Sequence, residues 1–401
     1  MKKHLRILSI LVLTILLFPS SLAFGQEDIN LNSYIVIDSE TGYVLYENNP
    51  DIPYAPASIT KVMTMYLIFE ALESGQISKD EIVVPGEQVR TVQRPGNSQI
   101  FIEPGSELFT VDELIKAIAV PSGSDAAIAM AEHIAGSEIN FVTMMNDKAR
   151  ELGLTNTQFR NPHGLDSQDH YMSARDIATL SRRLVVDFPD VTNYSRQQIY
   201  NHPPTQKDAF GGSYAPQPST FRNLLRRHPE VDGLKTGYTS QAGYCITATA
   251  NLSGRKYIIV LMGAESVAQR ETYVGDFMRS IGNEFQPLSV SRENDTIKDI
   301  AIPRARDNAY PVGTLKDVSI VVPRSNPAAE QVITLNDGIK APLSKGDEVG
   351  TITYVVGEQE VYSVPLYVLE DVPQANIFMR FFRGIGSFFS WIYNTIRNTF
   401  F

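Results

Sequence analysis

From Ser33 to Glu47 the chain reads SYIVID and GYVLYE around Ser39–Gly42, an alternation that predicts a β-hairpin. Pro53 and Pro56 break that pattern. The next run, APASITKVMTMYL, is apolar enough for a buried helix, yet Ser58 and Lys61 stand three apart at its head. A second helix opens at Thr110, where Glu113 completes a capping box, and continues through Leu114, Ile115, Ile118 and Ala119 until Pro121 stops it. Ser122 therefore falls on a turn, and a further helix runs through Ala126, Ala127, Ile128, Met130 and Ala131 to Gly136. GYCITATA and RKYIIVLMGA read as two strands joined by a tight turn at Asn251–Gly254, with DGLKTGYTS before the first. Residues 26–285 are thus expected to form an α+β domain, with helices in the middle of the segment and antiparallel strands at both of its ends. Residues 286–372 change to short alternating runs such as VSIVVP, GTITYVV and VYSVPLYVL between Gly, Pro, Asn and Asp, and predict a small all-β domain.

The two ends differ from the body. Lys2, Lys3 and Arg6 precede a short apolar stretch, Ile7–Phe18, and then small residues, so residues 1–25 read as a secretory signal peptide. From 373 to 401, Phe378, Phe382, Ile385, Phe389, Ile392 and Ile396 recur at helical spacing with Arg380, Arg383 and Arg397 interleaved. Arginines inside the run and the only tryptophan, Trp391, suit an amphipathic helix lying in a membrane surface.

Composition narrows the function classes. The net charge is −10, more negative still without the three basic residues of the signal, which argues against a nucleic-acid partner. An exported chain of 401 residues with one cysteine, Cys245, must fold without disulfides; the apolar neighbours Tyr244 and Ile246 fit a buried thiol. No glycine-rich phosphate loop follows a strand, and His163, Asp166, Asp169 and His170 match no zinc spacing, so neither cofactor nor metal is expected. Arg222, Arg226, Arg227 and His228 form a small basic cluster that reads as a solvated face.

A serine at a helix start is usually a cap and a lysine one turn on usually lies at the surface. Here Val62, Met63, Met65, Leu67, Ile68 and Phe69 leave little polar face, which would bury Lys61 and lower its pKa towards that of a base for Ser58. Ser58-Ile59-Thr60-Lys61, then Ser122-Gly123-Ser124 on a turn, then Lys235-Thr236-Gly237 on a strand resemble the three ordered motifs of the penicillin-recognising serine enzymes. PASITKVMT, PSGSDAAIAMAE, NPHGLD, YMSARD and DGLKTGYTSQAGYC are most similar to the low-molecular-weight D-alanyl-D-alanine carboxypeptidases, over essentially the whole chain.

That resemblance implies a β-lactamase/transpeptidase-like domain, a β-sandwich domain and an amphipathic anchor on the outer face of the cytoplasmic membrane. It implies peptidoglycan stem peptides as substrate and β-lactam antibiotics as ligands, and leaves a homodimer open. It implies that Ser58 is acylated, Lys61 is the base and Ser122 passes the proton to the leaving D-alanine. Lys235 would supply fixed positive charge, Thr236 and Arg270 would bind the terminal carboxylate, and Gly237 would let substrate lie along the strand. Backbone N–H groups of Ser58 and Tyr238 would form the oxyanion hole. The sequence departs from the family at Ser124, where the motif ordinarily ends in asparagine. The alternatives are a low-turnover stem-peptide-binding scaffold and a β-lactamase.

Overall fold

The computed structural model describes residues 31–376; the signal segment and most of the tail lie outside the described residues. Five antiparallel strands form the first sheet: β1 (Ser33–Asp38), β2 (Val44–Asn48), β3 (Val231–Thr239), β4 (Gly243–Leu252) and β5 (Arg255–Ala264). Their spatial order is β2-β1-β5-β4-β3, so the N-terminal hairpin joins the C-terminal hairpin and β3 is left as an edge. The β4–β5 turn falls where the sequence places it, with Ser253 and Gly254 both at positive φ.

Alternation across β1 separates two layers. Ile35 and Ile37 join the main hydrophobic core, whereas the Tyr34 ring lies 5.1 Å from Phe277 of α8 (Val267–Glu284). The main core is built from α1 (Lys61–Glu73), α2 (Val111–Ala119), α3 (Ser124–Ala135), α4 (Glu138–Glu151) and α5 (Ala174–Asp187). Two short helices, α6 (Val191–Ser195) and α7 (Arg222–Arg227), complete the helical set before α8 among the described residues. α1 is buried from Lys61 to Phe69, so it runs through the core instead of along its surface. The expected capping box is present: Thr110 Oγ1 accepts from Glu113 N, and the Glu113 carboxylate accepts from Thr110 N. α3 stops at Gly136, whose φ of 73° closes the helix.

Phe285–Ser291 pairs with Val318–Pro323, and a five-stranded antiparallel sheet runs in the order Lys298–Ile300, Tyr310–Gly313, Gln359–Val368, Glu348–Val356, Glu330–Leu335. Ile320, Val322, Ile352, Tyr354 and Leu366 fill a second core between them, the β-sandwich expected from the alternating runs. The tail helix expected from residue 373 does not include its first residues: Gln374 bridges Ala305 and Ala375 N donates to Arg304 O, so Pro373–Asn376 belong to the sandwich. The remainder of that segment, like the signal peptide, lies outside the described residues. No helix of the described residues is long and apolar enough to cross a membrane.

Candidate active site

Pro56 leads into a tight helical turn, Ala57–Thr60, which delivers the chain into α1. Ala57 adopts φ 48°, a left-handed conformation that only a crowded surrounding sustains for a residue with a Cβ. Gly164 presses on this turn: a Cβ there would lie 1.9 Å from Ala57 O. Ser58 is thereby held half-buried at the rim of a cleft, with Lys61 directly beneath and fully buried.

Lys61 Nζ donates to Ser58 Oγ at 3.0 Å, to Ser124 Oγ at 3.2 Å and to His163 O at 2.6 Å. Three acceptors satisfy an ammonium's three donors, but all are neutral oxygens. Burial therefore dominates and brings the Lys61 pKa down to about 7, with the Asp125 charge pulling the other way. An amine that is partly neutral at physiological pH and touches a serine hydroxyl can accept its proton.

Ser122 sits at φ 68° on the turn between α2 and α3, and its buried Oγ has no hydrogen-bond partner among the described residues. Ser124, two residues on, takes the lysine contact expected of an asparagine, through a hydroxyl. Lys235 on β3 is also fully buried, and its Nζ donates to Thr236 O at 3.0 Å. Thr236 Oγ1 donates to Thr220 Oγ1 at 2.6 Å, and the Tyr238 ring lies 4.3 Å from that of Tyr244. Arg270 reaches in from α8: Nη1 touches Cys245 O at 3.5 Å, while Nε and Nη2 are buried without a hydrogen-bond partner among the described residues.

The surroundings of Lys235 disfavour the fixed positive charge expected of it. Burial first, then the charges of Lys61 and Arg270, drives its pKa well below the usual lysine range, and burial lowers that of Arg270. Three buried basic groups converge, and the nearby carboxylate, Glu271, stands 4.0 Å from Arg270. In such a site an incoming carboxylate would favour the charged form of Lys235.

Ser58, Ser122, Ser124, Thr236, Tyr238 and Arg270 line one cleft of about 440 Å³, with Gly237 on the same wall and Lys61 and Lys235 behind it. All nine residues singled out in the sequence are therefore brought together. Gly237 has a reason beyond leaving room for substrate: a Cβ there would meet Pro56 O at 2.8 Å and Ala57 Cβ at 3.0 Å. The β3 edge and the Ser58 turn touch through that glycine.

Sequence reasoning passed over the His163 carbonyl, Asp125, Thr220 and the wall residues Asn97 and Ser98. The His163 signal was in NPHGLD, where Asn161 Oδ1 accepts from His163 N and Gly164 N and shapes the loop beneath α1. The two histidines weighed as metal ligands are occupied otherwise. His163 Nδ1 accepts from Leu165 N and His170 Nδ1 from Arg160 N, and burial lowers their pKa values to about 3 and about 4. Burial also raises the Cys245 thiol to about 12, so it is no nucleophile. In the basic cluster, Arg227 pairs with Glu271 at 3.3 Å.

Against known proteins, the family profile for D-alanyl-D-alanine carboxypeptidase matches residues 21–266, well over half of the chain. The chain belongs to this family. Residues 285–374 match the C-terminal domain of penicillin-binding protein 5. The D-alanyl-D-alanine carboxypeptidase DacF of Bacillus subtilis is 35% identical over 395 residues, 95% of this chain and 98% of that one. DacA of Escherichia coli is 32% identical over 88% of this chain and 86% of its own. Penicillin-binding protein 5 from Haemophilus influenzae superposes with a TM-score of 0.76 at 30% identity, covering 88% of this chain and all of that one. Penicillin-binding protein D2 from Listeria monocytogenes, in its ampicillin-bound form, is similar over 63% of this chain and 97% of its own, with TM-score 0.53 and 27% identity. The α+β fold of this carboxypeptidase family, followed by its β-sandwich domain, is the architecture described above.

Proposed function

We propose that this protein is an exported serine D-alanyl-D-alanine carboxypeptidase, cutting the terminal D-alanine from peptidoglycan stem peptides through an acyl-enzyme on Ser58. The observation that carries the reading is the buried Lys61 amine in hydrogen-bond contact with Ser58 Oγ, behind a cleft that Arg270 also lines. Neutral Lys61 takes the Ser58 proton as Oγ attacks the penultimate D-alanine carbonyl. The oxyanion is held by the N–H groups of Ser58 and Tyr238, each contributing about 3 kcal/mol. When the tetrahedral intermediate collapses, the C–N bond breaks and the proton on Lys61 passes through Ser122 Oγ to the departing amine. Water then repeats the attack on the ester, returning its proton by the same route and freeing Ser58.

Substrate extends the sheet as a strand along the free edge of β3, its terminal carboxylate towards Thr236 and Arg270. β-Lactams enter the same cleft and acylate Ser58, a reading supported by the ampicillin-bound neighbour. Residues 26–285 act as the catalytic unit, 286–376 as a stalk, and the segment beyond Asn376 as the contact with the outer face of the cytoplasmic membrane, after residues 1–25 have directed export. The separate cores and the two family matches support that division. The decisive experiment is D-alanine release from diacetyl-L-Lys-D-Ala-D-Ala with a Ser58→Ala control. Release lost in the control is the expected result; no release from folded wild-type protein would sink the reading in favour of a binding scaffold.

A further inference from the structure

One wall of the cleft is the irregular stretch Gly96–Ile102, of which Gly96, Asn97 and Ser98 face the cavity. A segment without regular structure must have its buried backbone groups satisfied by partners outside a helix or a strand ladder. Asp125, fully buried in the first turn of α3, does most of this. Its carboxylate accepts from Ile100 N at 3.0 and 3.1 Å, Ile102 N at 3.1 Å and Ala126 N at 3.0 Å. Gln93 Nε2 reaches Asp125 Oδ2 at 3.4 Å and Ile102 O at 2.6 Å. The neighbouring Ser124 N donates to Ser98 O at 2.9 Å, so the turn that contacts Lys61 also grips the wall. From the other side, Gln206 Nε2 donates to Ile100 O and Phe101 O.

We propose that Asp125 is a positioning residue for substrate: its ionised carboxylate holds the wall Gly96–Ile102 where the peptide is gripped against β3. The identity of the peptide rests on the carboxypeptidase reading above. A neutral side chain cannot do the same, because an Asn amide or a carboxylic acid turns one acceptor into a donor aimed at N–H groups. Burial raises the Asp125 pKa, opposed by the N–H groups of Ile102, Ile100 and Ala126 and by Gln93. The charged and titratable groups around it are Lys61 from α1, Tyr200 from the short strand Ile199–Tyr200 and His202 just after it. Acidification therefore releases the wall and weakens peptide binding. Charging Lys61 and Lys235 would act with the opposite sign, by attracting the peptide carboxylate more strongly.

The test uses the full chain carrying Ser58→Ala, with the Kd of diacetyl-L-Lys-D-Ala-D-Ala measured by calorimetry between pH 4.5 and 8. At the acid end of that range, below the pH near 7 at which Lys61 becomes charged, the parent should lose affinity. Asp125→Asn should raise Kd about tenfold at neutral pH and abolish that acid-side weakening. Gln93→Leu, a milder change should the first variant not fold, removes one group that keeps Asp125 ionised, so weakening should begin at higher pH. Peptide binding with the parent's pH course in the folded variants overturns the inference alone. No peptide binding by the Ser58→Ala protein at any pH overturns the inference, and D-alanine release by the Ser58 enzyme decides separately whether the reading beneath it stands.

Discussion

At the scale of single residues, the chemistry hangs on the protonation state of Lys61. With its pKa lowered to about 7 by burial, Lys61 is charged and unable to accept a proton well below neutrality, and becomes a base as pH rises. The acidic limb of kcat/KM for D-alanine release should therefore fall near pH 7, far below where a solvent-exposed lysine would put it; a limb near pH 10 would remove Lys61 from the role of base. Ser124 offers Lys61 a single hydroxyl oxygen. Ser124→Asn restores an amide that can accept from the lysine and donate to substrate at once, and should raise turnover about fivefold, the equivalent of one further net hydrogen bond of about 1 kcal/mol. An unchanged or lower kcat in steady-state assays would show that the hydroxyl is not the limiting feature. Of this site, Ser58, Lys61 and the burial of Lys61 were legible in the apolar run of α1. The His163 carbonyl was not, because it comes from 102 residues away and leaves no mark in local sequence.

At the scale of elements, the site is a meeting of two edges, the Ser58 turn and β3. Gly237 lets them touch, so Gly237→Ala must push β3 away from Pro56 O and Ala57 Cβ. A displacement of that kind should lower kcat/KM about a hundredfold while circular dichroism and the melting transition change little. Gly164 is a different case. It has φ 84° and its Cβ would overlap Ala57 O at 1.9 Å, so Gly164→Ala should cost about 2–4 kcal/mol of stability, read from denaturant unfolding, as well as activity. The capping box at Thr110, the stop at Pro121 and the β4–β5 turn could be read in advance because each depends on residues only a few positions apart. The order of strands could not, since β1 finds β5 more than two hundred residues later.

At the scale of the whole molecule, two cores stand in series, one around α1 and one inside the β-sandwich. If the segment beyond Asn376 serves as the membrane contact, the full chain should sediment with anionic phospholipid vesicles. A chain ending at Asn376 should stay in the supernatant and keep its D-alanine release. Equal sedimentation of both would assign the contact elsewhere.

The sequence by itself determined the element types, the all-β second domain, the three motifs and the membership in a serine-enzyme family, because periodicity, caps and turn residues act over short stretches of chain. Only the tertiary structure decided that Lys61 is surrounded by neutral oxygens, that Lys235 is buried beside two other basic groups, and that Asp125 straps the cleft wall. Those properties depend on burial and on partners distant in sequence, and a pKa or a wall position exists only once the chain has closed around it.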